Sequence, residues 1–384
     1  MKHAAALLFV LLLLALFSGT VCAVEGVKPA AIKRPVPVVH ITDLYRPHED
    51  PDDHWDLATQ YALAVQGDIK LVAIVLDYPN QAVKNPDIGA VAQLNYLTGM
   101  AVPAMTGIPE SFPLDADMTD PAVRNAPELS GVRALHRILK ESPEPVVITV
   151  TGWCRDLIFI YRYDPELFVK KCAAIYLNAG LGAPDPKQQG RLEWNALIDP
   201  VAYQKAFKLP VPVYWLPCFH TRDAKHRVTA GPSYESFYML RQSEILPALS
   251  APVQNYFLSM FRDGGNQPGR SDWLTILNQK PDQALLKKVS QQGRCMWCTA
   301  GMLHMVGKTV LPDGRIVPID SEEGKSAVFR FRPIRIECDK ESRTSWKFKP
   351  TAARGPFILE APAPEAYRAA MPKALKSLLL KLNR

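Results

Sequence analysis

Ile41-Thr42-Asp43-Leu44-Tyr45-Arg46-Pro47-His48-Glu49-Asp50-Pro51-Asp52-Asp53-His54-Trp55-Asp56-Leu57 is the stretch on which the reading of this chain turns. Val38 to Ile41 is a short β-branched run that reads as a strand, and Asp43 stands at its end. His54 to Val65 places apolar residues at helical spacing, and Gly67 ends that run. Between strand and helix, five acids fall within eight residues, from Glu49 to Asp56. Each carboxylate raises the cost of ionising its neighbours, so such crowding opposes stability unless a cation or a polar ligand offsets it. A solvated acidic loop capping a helix also fits, because carboxylates at a helix N-terminus complement its dipole and free N–H groups. Capping accounts for one acid and leaves the convergence of Asp43, Asp52 and Asp53 unexplained. Hard oxygen donors suit Ca²⁺ or Mg²⁺ better than zinc. An EF-hand is excluded, since the position that needs glycine holds Trp55.

Outward from this stretch the same alternation repeats. Ile69 to Leu76 reads as a buried strand, Ile88 to Leu97 as a helix stopped by Gly99, and Val102 to Met105 as a short strand. Val146 to Thr151, Ala173 to Leu177 and Val211 to Leu216 read as further strands, with helices at Leu157 to Tyr163 and Pro200 to Phe207 between them. The order predicts an α/β fold: an open, mostly parallel sheet with helices on both faces. The segment 230–310 reads as mostly helical. Residues 327–336 read as a half-exposed strand of a late hairpin, and Pro364 to Leu380 as a closing amphipathic helix. In such sheets ligands bind beyond the carboxyl ends of the strands. Asp43, Asn80, Thr151 and Asn178 all fall at or just after predicted strand ends.

Composition bounds the function. Lys2 and His3, the apolar run Ala4 to Phe17 and Val21-Cys22-Ala23 form a signal-peptide pattern over 1–23, which predicts export. Residues 24–36 read as a linker, and 37–384 as one α/β domain. Removing Lys2 lowers the formal charge of +7 by one, and the basic residues are scattered, which argues against nucleic acid as a partner. No later segment reads as a membrane span. Six cysteines follow the cleavage pattern: Cys154, Cys172, Cys218, Cys295, Cys298 and Cys338. Cys295-Met296-Trp297-Cys298 has redox-motif spacing without the βαβ context of that motif, so buried thiols or a local disulfide are the readings preferred.

With these residues laid out, the chain resembles the inosine–uridine-preferring nucleoside hydrolases. A strand ending in Asp43, Asp52-Asp53 opening a helix, and the strand Ala73 to Asn80 are similar to that family's opening. Val147 to Leu157 resembles its strand and Thr-Gly-Pro-Leu-Thr-Asn segment. Glu193-Trp194-Asn195 with Asp199-Pro200-Val201-Ala202 resembles its Glu-Phe-Asn and Asp-Pro-x-Ala pair, and Pro217 with Thr221 its following Pro-Leu-Asp-Val-Thr. The likeness covers 37–221 well and the remainder weakly.

The resemblance implies a Ca²⁺-dependent N-glycosidase acting on a small nucleoside or sugar-like substrate, in a homodimer or homotetramer. Asp43 would be the catalytic base and a metal ligand, with Asp53 and the Thr151 carbonyl completing the metal set. Asp52, Asn80, Glu193 and Asn195 would hold the sugar hydroxyls. Arg155 reads as structural, pairing with Asp156 or a neighbour.

Two departures stand out. The family separates its first Asp from the Asp-Asp pair by three residues, whereas eight lie between Asp43 and Asp52. The extra Tyr45 to Glu49 would form a loop over the site, with Asp50 a rival ligand. The family's late His-Asp-Pro-Leu-Ala has Met296-Trp297-Cys298-Thr299-Ala300 as its counterpart, without His or Asp; His48 and His220 are the candidates for the lost acid. Two alternatives stay open: a non-catalytic nucleoside or carbohydrate binder on the same scaffold, and a metal-dependent hydrolase of another ester or glycoside.

Overall fold

The computed structural model of the protein describes residues 26–46, 51–77, 85–221, 231–262, 272–350 and 354–383. Nine strands form one sheet. They are β1 (Val36–Thr42), β2 (Ile69–Leu76), β3 (Ala104–Thr106), β4 (Val146–Val150), β5 (Cys172–Asn178), β6 (Val213–Leu216), β7 (Arg330–Cys338), β8 (Thr344–Phe348) and β9 (Phe357–Glu360). Their spatial order is β8-β7-β9-β6-β5-β4-β1-β2-β3. Every pairing from β9 to β3 is parallel, while β7 pairs antiparallel with both β8 and β9. β1 lies inside the parallel part, and its seven residues are all buried. That is the environment in which a strand loses polar alternation, and Val36, Val38, Val39 and Ile41 supply apolar side chains to both faces.

Helices cover both faces, as the alternation predicts. Val36 and Val38 face one core with α1 (Asp52–Val65), α2 (Ile88–Thr98), α6 (Thr299–Met305) and α7 (Pro364–Leu379). Val39 and Ile41 face the other, with α3 (Ser130–Glu141), α4 (Arg155–Tyr163) and α5 (Trp194–Ile198). α1 is buried from Asp53 to Leu63, since it packs on the sheet on one side and under α7 on the other. Gly67 (φ +76°) turns the chain from α1 into β2, a backbone state that side chains with a Cβ rarely adopt.

Several boundaries differ from the sequence reading. The segment 230–310 also carries two strands, Tyr238–Arg241 and Gly293–Met296, paired antiparallel. Each is four residues long and has no Val, Ile or Thr, so neither gave a strand signal. Residues 26–34 lie against the domain: Val27 N–H donates to Phe331 O at 2.8 Å, and Tyr214 Oη donates to Lys28 O at 2.9 Å. Residues 1–23, the predicted signal peptide, lie outside the described residues. No helix among the described residues is long and apolar enough to cross a membrane.

Candidate functional site

Register alone brings the strand ends together. Thr42 stands opposite Leu76, Ile41 opposite Val150, Val150 opposite Leu177, and Asn178 opposite Leu216. The residues that follow, Asp43, Asp77 and Thr151, therefore emerge side by side with Asn178 at one edge. Backbone bonds lock this level: Asp77 N–H donates to Thr42 O at 3.0 Å and Thr151 N–H to Ile41 O at 2.9 Å.

α1 then delivers Asp53 onto the same point. The hydroxyls of Thr42 and Thr151 both donate to Asp53 Oδ1. The carboxyl of Asp43 hydrogen-bonds to that of Asp53. Loss of hydration pushes the Asp43 carboxyl well above the usual range; the negative charge of Asp53, that hydrogen bond, and the charges of Asp77 and Asp52 push it further. Asp52, at the start of α1, keeps partial exposure. The resemblance implies a role for the Thr151 carbonyl; its hydroxyl also has a task here, holding Asp53.

Asp77 was missed in the sequence, although it directly follows a strand end, the same signal that singled out Asp43. It is fully buried. Tyr45 Oη donates to its Oδ1, and Trp153 N–H donates to its Oδ2 at 2.8 Å. Burial raises its carboxyl well above the usual range, those two donors oppose the rise, and the charges of Asp156 and Asp53 add to it. Gly152 makes the approach possible. A Cβ there would lie 2.0 Å from Asp77 Oδ2 and 3.1 Å from Asp43 Cβ.

Glu193 and Asn195 reach the same edge through α5. Glu193 is its N-cap, accepting from Asn195 N–H at 2.9 Å, and its second oxygen accepts from Gly180 N–H at 2.8 Å. Asn195 Nδ2 donates to Thr151 O at 2.9 Å and to Asn178 O at 3.2 Å. Both residues thus brace the ends of β4 and β5, and the Thr151 carbonyl proposed as a metal ligand already accepts one bond. Arg155 pairs with Asp199 at 2.6 Å rather than with Asp156, which instead accepts from Ile108 N–H and Trp153 Nε1. Asn80, with His48, Glu49 and Asp50, lies outside the described residues.

The opposite wall is the start of α6. Trp297 packs edge-on to Phe219, with centroids 5.7 Å apart, and tilts against Phe237 at the same separation. Its indole Nε1 is buried with no hydrogen-bond partner among the described residues. Cys298 caps α6 and donates to Asn178 Oδ1 at 3.4 Å. Beside it Asp56 is fully buried, and among the described residues neither of its oxygens reaches a partner in bonding geometry. Burial, then the charge of Asp53, hold its carboxyl well above the usual range, with the Cys298 thiol alongside opposing the rise. His220 turns to Tyr234, whose N–H donates to its Nδ1 at 3.4 Å.

The chemistry of this donor set suits a hard divalent cation. The charges acting most strongly on Asp43 are all negative, and Asp53 is approached by the hydroxyls of Thr42 and Thr151. Asp43 and Asp53 meet, which is the geometric condition for a shared ion. Among the described residues, no three His, Cys, Asp or Glu side chains form a ready ligand cage.

No protein-family model matches the chain. A curated relative, the pyrimidine-specific ribonucleoside hydrolase RihA of Klebsiella pneumoniae (strain 342), is 29% identical over 84 residues, 22% of this chain. The match spans 26% of that relative's length, about a quarter of it. Among solved structures, an inosine-guanosine nucleoside hydrolase aligns with TM-score 0.48 at 13% identity, over 90% of this chain and 98% of its own. A purine-preferring ribonucleoside hydrolase from Gardnerella vaginalis aligns with TM-score 0.45 at 13% identity, over 90% and 99%. An inosine-uridine preferring nucleoside hydrolase from Bacillus anthracis aligns with TM-score 0.44 at 12% identity, over 90% and 99%. The chain is thus similar to nucleoside hydrolases, the group its motifs resemble.

Proposed function

We propose that this protein is an exported N-glycosidase that hydrolyses the bond between base and sugar in a ribonucleoside or related N-glycoside. The observation that supports it is the meeting of Asp43 with Asp53, under the hydroxyls of Thr42 and Thr151, at the carboxyl edge of the sheet. Asp43, Asp53 and the Thr151 carbonyl would hold Ca²⁺. When bound, the ion supplies positive charge to the acid cluster and acidifies water beside it. Asp43 would take a proton from the attacking water, a role its place at the strand end beside Asp53 leaves open to it. Asp52, with Asn80, Glu193 and Asn195, would orient the sugar hydroxyls. Such contacts favour reaction where they tighten as positive charge develops on the sugar ring. Export after cleavage near Ala23 and assembly into a homo-oligomer belong to the same reading.

The test is release of free ribose from a panel of purine and pyrimidine ribonucleosides, with and without a chelator. Calcium-dependent release that disappears in Asp43→Asn, with the fold intact by circular dichroism, supports the reading. Normal turnover by that variant shows that Asp43 is not the base.

A second reading, a nucleoside or sugar binder without turnover, is favoured by one observation. At the counterpart of the late His-Asp of the nucleoside hydrolases, the start of α6 carries Trp297 and Cys298, with neither His nor Asp to protonate a leaving base. Thermal stabilisation by nucleosides with no ribose released would select it.

A further inference from the structure

Two thiols meet on one amide oxygen at the floor of the candidate site. Cys218, two residues beyond β6, and Cys298, at the cap of α6, donate to Asn178 Oδ1 at 3.5 and 3.4 Å. Their sulfurs can be no farther apart than those two bonds laid end to end. Both are free and almost wholly buried. The Cys295-x-x-Cys298 spacing suggests a local pair, but the Cys298 thiol turns to Asn178. Cys295 sits instead in the strand Gly293–Met296, opposite Met239.

We propose that Cys218 and Cys298 are an oxidisable pair, joined by exchange with a low-molecular-weight disulfide, and that their bond reshapes the floor of the candidate site. In the first step one cysteine thiolate attacks a sulfur of the small disulfide, forming a mixed disulfide and expelling one small thiol. In the second, the other cysteine thiolate attacks the protein-side sulfur of that mixed disulfide. The Sγ–Sγ bond forms and a second small thiol leaves. The two cysteines lose two protons and two electrons, and the small disulfide gains both.

The surroundings indicate what moves. Asn178 is anchored by its own amide, which donates to Leu216 O at 2.9 Å and Ser236 Oγ at 3.1 Å. Both cysteines stand outside regular elements, one after Pro217 and one before α6, so the sulfurs close on each other while Asn178 stays. Closure strips Asn178 Oδ1 of both thiol donors, which leaves a buried acceptor underused. It also draws Cys298 from Asp56 and shifts Trp297 beside it. Burial raises both thiols well above the usual range, which makes the exchange slow, reached through opening of the site. The effect on turnover rests on the function proposed above; the linkage does not.

The experiment uses the folded full chain, incubated with glutathione disulfide, alkylated with N-ethylmaleimide and mapped by non-reducing peptide mass spectrometry. The expected product is one linked peptide joining Cys218 to Cys298, reversed by dithiothreitol and missing from Cys218→Ser and Cys298→Ser. In each serine variant the remaining thiol is expected as a glutathione adduct or free. Cys295, partly exposed, reports that the oxidant acted. A Cys295–Cys298 link overturns the proposal. So do adducts on both Cys218 and Cys298 of the wild-type chain, or free thiols at both once Cys295 has reacted. If ribose release is measurable, oxidation is expected to lower it several-fold and dithiothreitol to restore it. Linkage with unchanged release overturns the claim that the floor is reshaped.

Discussion

Tyr45 donates its phenolic hydroxyl to Asp77 Oδ1 across the carboxyl edge of the sheet. Tyr45 belongs to the extra residues between Asp43 and Asp52, and Asp77 to the end of β2. The longer connection is therefore tied into the acid cluster at its start. Tyr45→Phe keeps the ring and removes the donor, leaving a buried carboxyl with the Trp153 N–H as its one remaining donor among the described residues. The expected cost is about 1–3 kcal/mol of stability, read from urea denaturation at pH 7. A change below about 0.5 kcal/mol, the usual range for neutral substitutions, would show that the bond contributes nothing net.

Gly152 tests the packing of the cluster directly. An added methyl meets Asp77 Oδ2 at 2.0 Å and must displace it, or move the strand end that carries Thr151. Gly152→Ala is expected to lower stability by about 1–3 kcal/mol, the usual range for overpacking. Any calcium affinity of the site should weaken with it, measured by titration calorimetry. Unchanged stability and unchanged calcium binding together would mean that Asp77 is not held against Asp43.

How much of this was legible in the sequence depends on the range of the signal. β2, with Ile69-Lys70-Leu71-Val72-Ala73-Ile74-Val75-Leu76, is found with the boundaries its apolar run predicts, because a strand packed on both faces is apolar along its length, the exposed Lys70 near its start excepted. Asp43 and Asp53 were legible for a similar reason: a strand end and a helix start are local events. Asp77 carries no motif of its own, whereas Asn80 matches one; sheet register is what places the first residue past Leu76 beside Asp43. The hydroxyl bonds of Thr42 and Thr151 to Asp53 join three elements, and no spacing within the chain announces them. Cys298 illustrates the same limit. Its spacing from Cys295 is local, while its bond to Asn178 spans 120 residues.

His304 gives a pH dependence with a defined sign. Its Nε2 lies 2.8 Å from Val27 O, which can only accept, so Nε2 carries the proton. Its Nδ1 then accepts from Tyr176 Oη at 2.7 Å. Burial pushes the ring down to about 4, against a partial opposing effect of the Val27 carbonyl. A lowered histidine leaves the native state neutral while the unfolded chain takes up a proton below about 6.5. Its contribution is therefore intact above 6.5 and is lost as pH falls toward 4, by about 3 kcal/mol in all. Glutamine keeps a donor and an acceptor without a titration. The stability gap between wild type and His304→Gln is expected to shrink by that amount from pH 7 to pH 4, in denaturant melts at each pH. A gap constant across that range would show that His304 is not held neutral.

Calcium itself can be tested without turnover. An ion that binds only the folded chain raises stability by about 2.7 kcal/mol at a hundredfold excess over its dissociation constant. Wild type in millimolar Ca²⁺ is thus expected to melt several degrees higher than in chelator, and Mg²⁺ to do less, since it demands stricter geometry. Asp53→Asn should lose most of that rise, because the carboxyl touching Asp43 and accepting from Thr42 and Thr151 becomes a neutral amide. Thr151→Val should lose part of it, since the carbonyl survives while the hydroxyl that aims Asp53 does not. The two variants separate a ligand from its support. If Asp53→Asn kept the full calcium shift, the ion would be bound elsewhere, and the acid cluster would need a different explanation.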